Sequence, residues 1–393
     1  MEVKPYSPLL KISTFHLPTR IVFGINSLGR LEEELKRLEF KKPLIIAGEN
    51  VSKTMAYETV RGLLSRWGLQ EYRSVKPEPG ASDLDALAKR VRSEPPDLVV
   101  GMGGGSTMDM AKAASLLAAN MGEPISFFRG SAKFEKGPPI VTVPTIAGTG
   151  SEVTPISVVV DGDNKLAIMN PCLSPALAII DPTLSLTAPP QAVASSGMDA
   201  LCHAVESIMS LESNPISSAL AFEAISLVDD HIERSYCNPA DIEARQGLSL
   251  ASLLAGMAFS ATGLCLPHGI AYTYAIGHSA PHGTSVSLAL PYVIEFNAPA
   301  IPEKIELIAA AMGIDTSGLS NNEAAFQISS RIFDILDILG LPETLEEIGV
   351  KEDEFDSMVE NLLTKQTRFV SKNPRKAAKE DLMQLYRRMF EGL

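Results

Sequence analysis

The chain has 393 residues, 45% of them hydrophobic and 21% charged, with a formal charge of −13 and a pI near 5.0. That length and composition suit a globular protein with two cores. The negative balance argues against nucleic acid or an anionic membrane as a partner. Met1 to Arg20 mixes charge with proline, so no secretory leader is expected there. Four cysteines (Cys172, Cys202, Cys237 and Cys265) show no CxxC pattern, which fits a reduced, cytoplasmic protein.

In chain order, residues 15–24 read as an entering strand, and Ser27 to Leu38 has helical spacing of its leucines. Pro43 to Gly48 is a short apolar run of the buried parallel type, followed by a helix over Thr54 to Trp67. A helix over Leu84 to Arg92 and a second buried strand over Pro96 to Gly101 come next. Short apolar runs alternating with helices predict a parallel α/β sheet. The second strand runs into Gly103-Gly104-Gly105-Ser106, where a helix begins. Glycines let a ligand approach the backbone, and a helix start offers free N–H groups, so this turn is a candidate pyrophosphate cradle. It is not the GxGxxG fingerprint. A further strand, Pro139 to Pro144, leads into the hydroxyl-rich loop Thr145 to Glu152; Lys165 comes after it on a strand or loop.

Prolines 182, 189 and 190 punctuate the chain, and the remainder reads as helix. We therefore divide it into an α/β domain over residues 1–184 and an all-helical domain over residues 185–393. Within the second, amphipathic runs are expected at Glu303–Met312, Glu323–Leu339, Leu345–Ile348, Phe355–Thr364 and Lys379–Phe390. Leu248 to Pro267 is uncharged and reads as a buried bundle helix rather than a membrane span.

The second domain also holds a candidate metal site. Asp199 and His203 stand one helical turn apart, a spacing at which carboxylate and imidazole can share one divalent ion. Two matching Pro-His-Gly settings lie further on, at His268 and His282. On one straight helix those histidines would be about 21 Å apart, but Gly277 and Pro281 break the run and allow the chain to turn back. From Gln246 to Ile294 there is no charged residue, yet three of the six histidines fall in that span. Buried polar groups need partners, and a metal would satisfy several at once. Glu206 lies on the same helix face as Asp199 and is a candidate to support a ligand from behind. Iron and zinc both accept such a set. Cys202 and Cys265 neighbour these histidines and are read as small core residues.

Together these segments resemble the iron-containing (group III) alcohol dehydrogenase family. The resemblance rests on Arg20-Ile-Val-Phe-Gly24, the Gly103–Lys112 loop, Pro144–Glu152, Asp181-Pro182, Gly197–Ser207, Pro281–Gly283 with Leu290-Pro291, and Asn373-Pro374-Arg375. It implies a Rossmann-like dinucleotide-binding domain, a helical domain, a cleft between them, and a homodimer. It assigns the metal ligands to Asp199, His203, His268 and His282, and cofactor contacts to Gly104, Gly105, Ser106, Asp109, Thr145, Thr149 and Lys165. The implied reaction is reversible hydride transfer between an alcohol and NAD(P), with Fe(II) or Zn(II) acting on the substrate oxygen. Two departures stand out. Many members have a histidine where this chain has Tyr272. NAD-preferring members often carry an Asp where this chain has Gly48, followed by Glu49, and that favours NADP.

Tyr272 and His278 are candidates to carry the alcohol's proton, since a phenol beside a metal and an imidazole can both serve. The uncharged stretch favours small or medium neutral alcohols and aldehydes. Two competing readings are a dehydroquinate synthase-like lyase, which would need a cluster of Lys and Arg absent from that stretch, and a non-catalytic nucleotide- or metal-binding module.

Overall fold

A computed structural model describes residues 12–130, 133–162 and 164–392; the expectation for the first eleven residues of the N-terminus lies outside them. The chain forms two compact units, one over Leu17–Ala188 and one that contains every helix from Pro189 onward.

In the first unit, six parallel strands form one sheet: β1 (Arg20–Phe23), β2 (Pro43–Gly48), β3 (Gln70–Val75), β4 (Leu98–Gly103), β5 (Ile140–Pro144) and β8 (Leu177–Ile180). Between β5 and β8, an antiparallel hairpin of β6 (Ile156–Asp161) and β7 (Asn164–Met169) stands apart from the sheet. Five helices connect these strands: α1 (Leu31–Leu35), α2 (Met55–Leu64), α3 (Ala81–Ser93), α4 (Gly105–Ala119) and α5 (Pro124–Phe128). The apolar run of β2 is continuous because both faces are covered. Leu44 and Ile46 join the core with Leu84, Leu87 and Ala114 from α3 and α4. Ile45 and Ala47, pointing the other way, join Tyr57 and Val60 from α2.

The strand order is β1-β8-β5-β4-β2-β3. From β2 the chain first adds β3 on one side, then crosses to place β4 on the other. This reversal makes the carboxyl ends of β2 and β4 a switch point, where open parallel sheets bind ligands. The two strands run in register there, Ala47 opposite Met102. Gly48 ends one strand and Gly103 the other, so both glycine positions singled out in the sequence meet at this edge.

The second unit is helical: α6 (Pro190–Met209), α7 (Pro215–Cys237), α8 (Ile242–Thr262), α9 (Leu266–Tyr274), α10 (His282–Asn297), α11 (Pro302–Ala311), α12 (Asn321–Leu339), α13 (Phe355–Lys365), α14 (Thr367–Val370) and α15 (Lys379–Glu391). The uncharged window is split rather than continuous. Helix α8 ends at Thr262, Gly263 takes φ 64°, and α9 leaves at an angle of 100°. Among the described residues no single helix is long and apolar enough to cross a membrane.

Some boundaries differ from the sequence reading. The entering strand shortens to Arg20–Phe23, and Leu345–Ile348 forms turns instead of helix. β3 was not expected, because Gln70-Glu71-Tyr72-Arg73-Ser74-Val75 lacks an apolar run. As an edge strand it pairs only with β2 and needs no second buried face.

Candidate metal centre and nucleotide cradle

Helix α6 carries Asp199 and His203 one turn apart, both buried. The ring of Phe259 from α8 stacks on His203 at 4.4 Å and fixes its plane. His268 stands in the first turn of α9, just after the bend. The chain then breaks after Tyr274 and resumes as a helix at His282. Gly283 allows that return. A Cβ there would sit 1.9 Å from the Ser195 carbonyl oxygen of α6, so only glycine lets the start of α10 dock so closely. The Thr284 amide also donates to Ser195 Oγ at 3.1 Å.

The result is convergence on one atom. The Nε2 atoms of His203, His268 and His282 lie 3.6, 3.8 and 3.7 Å from Asp199 Oδ1. Those separations are too long for hydrogen bonds, and Asp199 Oδ1 is buried without a hydrogen-bond partner. Four ligands held about 2 Å from one ion in a tetrahedron stand roughly 3.3 Å apart. The observed spacing is slightly wider and fits a divalent ion. The ligand atoms of Asp199, His268 and His282 all lie within 4.8 Å of one another; His203 completes the set from the same helix as Asp199.

Glu206 supports this centre from behind. One carboxylate oxygen bonds His268 Nδ1 at 2.5 Å, and the other accepts the Cys265 amide at 2.7 Å. With Nδ1 engaged by a carboxylate, Nε2 of His268 is turned as a lone-pair donor toward Asp199. Burial pushes the Glu206 carboxyl up to about 8, opposed by the Cys265 amide. Cys202 and Cys265 are buried and their thiols are pushed up by that burial. The Cys265 thiol donates to backbone carbonyls of Glu206 and Lys372, which makes it a packing residue.

The two proton candidates are placed differently. The Tyr272 ring meets that of His282 edge-on at 5.7 Å and lies 6.5 Å from that of His268. His278 is bonded instead to Glu354 at 2.9 Å.

In the first unit, α4 begins at Gly105 with Gly104 as its cap, and no side chain caps its first turn. The Thr145–Glu152 loop closes on this turn. Thr145 donates its N–H to Gly103 at 3.1 Å, and the Thr149 methyl would lie 2.7 Å from a Cβ on Gly105. Ser106 Oγ accepts the Glu78 amide at 3.3 Å, and Lys165 Nζ meets Glu78 Oε1 at 2.6 Å. Glu78 takes φ 49°, a left-handed conformation costly for a side chain of this kind. It sits in a Pro-Glu-Pro-Gly linker, where nothing in the sequence marks it out. Glu49 is largely exposed and paired with Lys53 at 2.7 Å.

Asp109 faces the protein interior. Its carboxylate accepts Ser151 Oγ at 2.7 Å and the Val158 amide at 3.0 Å, which ties α4 to the neighbouring loop and hairpin. Lys112 completes the tie by donating to Ser151 Oγ at 2.6 Å and to the Ile156 carbonyl at 2.7 Å. Burial pushes Lys112 down to about 8, and it pushes Glu152 up to about 7. The sequence did hold a signal for this cluster. Asp109 and Lys112 are the only charges between Leu98 and Asn120.

Glu152 gives a pH prediction. Its folded-state value lies above the ordinary 4.5, so its contribution to stability is full below 4.5 and lost as pH rises through about 7. Glu152→Gln removes that loss. Relative to the parent, the variant gains on the order of 2 kcal/mol between pH 5 and pH 8. Thermal unfolding across that range checks it; a constant difference between the two proteins rules it out.

A doubly wound parallel sheet with a glycine-lined helix start, and a carboxylate–histidine centre, are the parts of a dehydrogenase that uses a dinucleotide and a metal. Residues 18–182 match the family model of iron-containing alcohol dehydrogenase, and residues 193–390 match the Fe-containing alcohol dehydrogenase family, C-terminal. Long-chain-alcohol dehydrogenase 1 of Geobacillus thermodenitrificans is 33% identical over 384 residues, covering 95% of this chain and 97% of the relative. NAD-dependent methanol dehydrogenase of Bacillus methanolicus is 31% identical over 379 residues, covering 95% and 99%. The solved alcohol dehydrogenase of Oenococcus oeni superposes with a TM-score of 0.90 at 31% identity, covering 96% and 100%. The chain belongs to the iron-containing alcohol dehydrogenase family, and it is an NAD(P)-dependent alcohol dehydrogenase acting on CH–OH groups. The lyase and binding-module readings are not favoured.

Proposed function

We propose that this enzyme moves hydride between NADP and a small or medium alcohol or aldehyde, using one divalent ion held by Asp199, His203, His268 and His282. The convergence of three imidazoles on a buried carboxylate oxygen with no hydrogen bond of its own carries the reading. A divalent ion bound there supplies Lewis-acid chemistry; Fe(II) fits the family, and Zn(II) fits the same donors. Glu206 orients His268, and Phe259 holds His203 in plane. Gly104, Gly105 and Ser106 take the pyrophosphate at the start of α4, with Thr145 and Thr149 closing over it. Lys165 is aimed by Glu78, and Asp109 acts from beneath as an anchor of α4. Tyr272, beside His282 and His268, is the nearer proton carrier, and His278 with Glu354 is the farther one. A homodimer in the cytoplasm completes the reading, supported by the family resemblance and by cysteines that are all free.

Incubating the protein with NADP or NAD, Fe(II) or Zn(II) and a panel of alcohols tests this. Absorbance of the reduced nicotinamide is expected to grow only when metal and alcohol are both present. The preference for NADP rests on Gly48 and on the engagement of Glu49 by Lys53. Gly48→Asp adds a carboxylate at the end of β2, where a Cβ has 3.3 Å to the Val75 carbonyl. The ratio of kcat/KM for NADP over NAD is expected to fall about tenfold or more, since a carboxylate favours the ribose hydroxyl and repels a phosphate. An unchanged ratio moves the discriminating position elsewhere.

A further inference from the structure

We infer that Arg368 makes this enzyme selective for short alcohols and aldehydes that carry a terminal monoanion, a carboxylate or sulfonate, at the end away from the reacting carbon. The inference rests on the metal-centre reading and deepens it to a substrate class.

Helix α9 brings Tyr272 one turn beyond His268, and α14 brings Phe369 against it. The two rings meet edge-on at 5.2 Å. Phe369 is 6.1 Å from the His268 ring, and Tyr272 is 5.7 Å from the His282 ring. Two aromatic side chains therefore form a wall beside two of the four candidate ligands. The Arg368 guanidinium lies on that wall, its Cζ 4.5 Å from the centre of Phe369 and 5.6 Å from that of Tyr272. Stacking on aromatic faces holds a guanidinium in place while leaving its N–H edge free to bind.

Arg368 is exposed, and among the described residues no carboxylate pairs with it. Several other arginines are held by carboxylates, as Arg331 is by Asp229 and Glu233, Arg388 by Glu295 and Arg129 by Asp161. In a chain of net charge −13, a cation kept clear of acids beside a reactive centre is available to a ligand. The span from Gln246 to Ile294 offers no charge of either sign. An apolar substrate body thus suits that side, and an anionic tip suits only the side of Arg368. Guanidinium and carboxylate or sulfonate match as paired N–H···O bonds.

The test compares 4-hydroxybutyrate, 3-hydroxypropanesulfonate and 1-butanol on the metal-loaded enzyme with cofactor, in the parent, Arg368→Met and Arg368→Lys. Calorimetric binding of butyrate to the same proteins gives a readout that needs no turnover. The parent is expected to favour both anions over butanol in kcat/KM. Arg368→Met is expected to lower that ratio about 10- to 100-fold, the range of a charge-assisted hydrogen bond, and to weaken butyrate binding alike. Arg368→Lys recovers part of both. A carboxylate effect without a sulfonate effect narrows the class to acids. A ratio unmoved in Arg368→Met, equal losses on acid and alcohol, or a change in cofactor affinity alone overturns the proposal. If no alcohol turns over while butyrate binding still depends on Arg368, the dehydrogenase reading fails and the substrate selectivity falls with it, leaving Arg368 an anion contact only. Butanol turnover with butyrate binding indifferent to Arg368 overturns the role of Arg368 and leaves the dehydrogenase reading standing.

Discussion

Replacing His268 with alanine lowers kcat/KM for alcohol oxidation by about 10³-fold or more and leaves the purified protein without stoichiometric metal. The size follows from the several kcal/mol of charge stabilisation that a metal ion contributes to such reactions. His268 is the ligand with most to lose. It is almost fully buried, it faces Asp199 at 3.8 Å, and its other nitrogen is held by Glu206. Glu206→Gln is a milder change that keeps the shape and replaces the carboxyl group behind the imidazole with an amide. It is expected to weaken metal binding about 10- to 100-fold, the usual range for a group that supports a ligand from behind. Elemental analysis of both variants decides the matter. Full occupancy in His268→Ala would end the assignment of this centre.

Gly105→Val abolishes tight cofactor binding, with an expected rise in Kd for NADP of about 100-fold or more. Even a Cβ at this position would come within 2.7 Å of the Thr149 methyl, and valine adds two carbons beyond it. The loop that closes on α4 must move away, and the amides of the helix start lose their enclosure. Because Asp109, Ser151 and Lys112 tie the same loop to α4 from beneath, the fold survives while the upper surface opens. Fluorescence titration with reduced cofactor measures the loss, and a cooperative melting transition above the assay temperature with full metal content separates it from unfolding. Undiminished binding would remove the Gly103–Ser106 turn from the cofactor site.

Much of this was legible in the chain because local rules and tertiary structure agree. The runs of β2 and β4 are apolar throughout since helices cover both faces of the sheet, and such runs stand out without context. The return of His282 was readable from Gly277 and Pro281, which lie in the break between α9 and α10. What stayed hidden depends on distant partners. Gly283 is required by a carbonyl on α6, and no pattern around residue 283 reveals Ser195. Glu78 reaches Ser106 and Lys165 only after β3 has formed beside β2. β3 itself reads as a polar loop until the edge of the sheet is known. Asp109 shows the converse limit. Its place in the glycine-rich loop suggested a cofactor contact, whereas its carboxylate is filled by Ser151 and Val158 inside the protein.

The four candidate ligands come from three helices, α6, α9 and α10, and the bend at Gly263 and the break before His282 lie between them in the chain. An ion seated among them would act as a removable cross-link, closing the long loop that runs from Asp199 through α7 and α8 to His282. Its binding free energy would then be shared with folding. Loss of metal would therefore erode persistence as well as turnover.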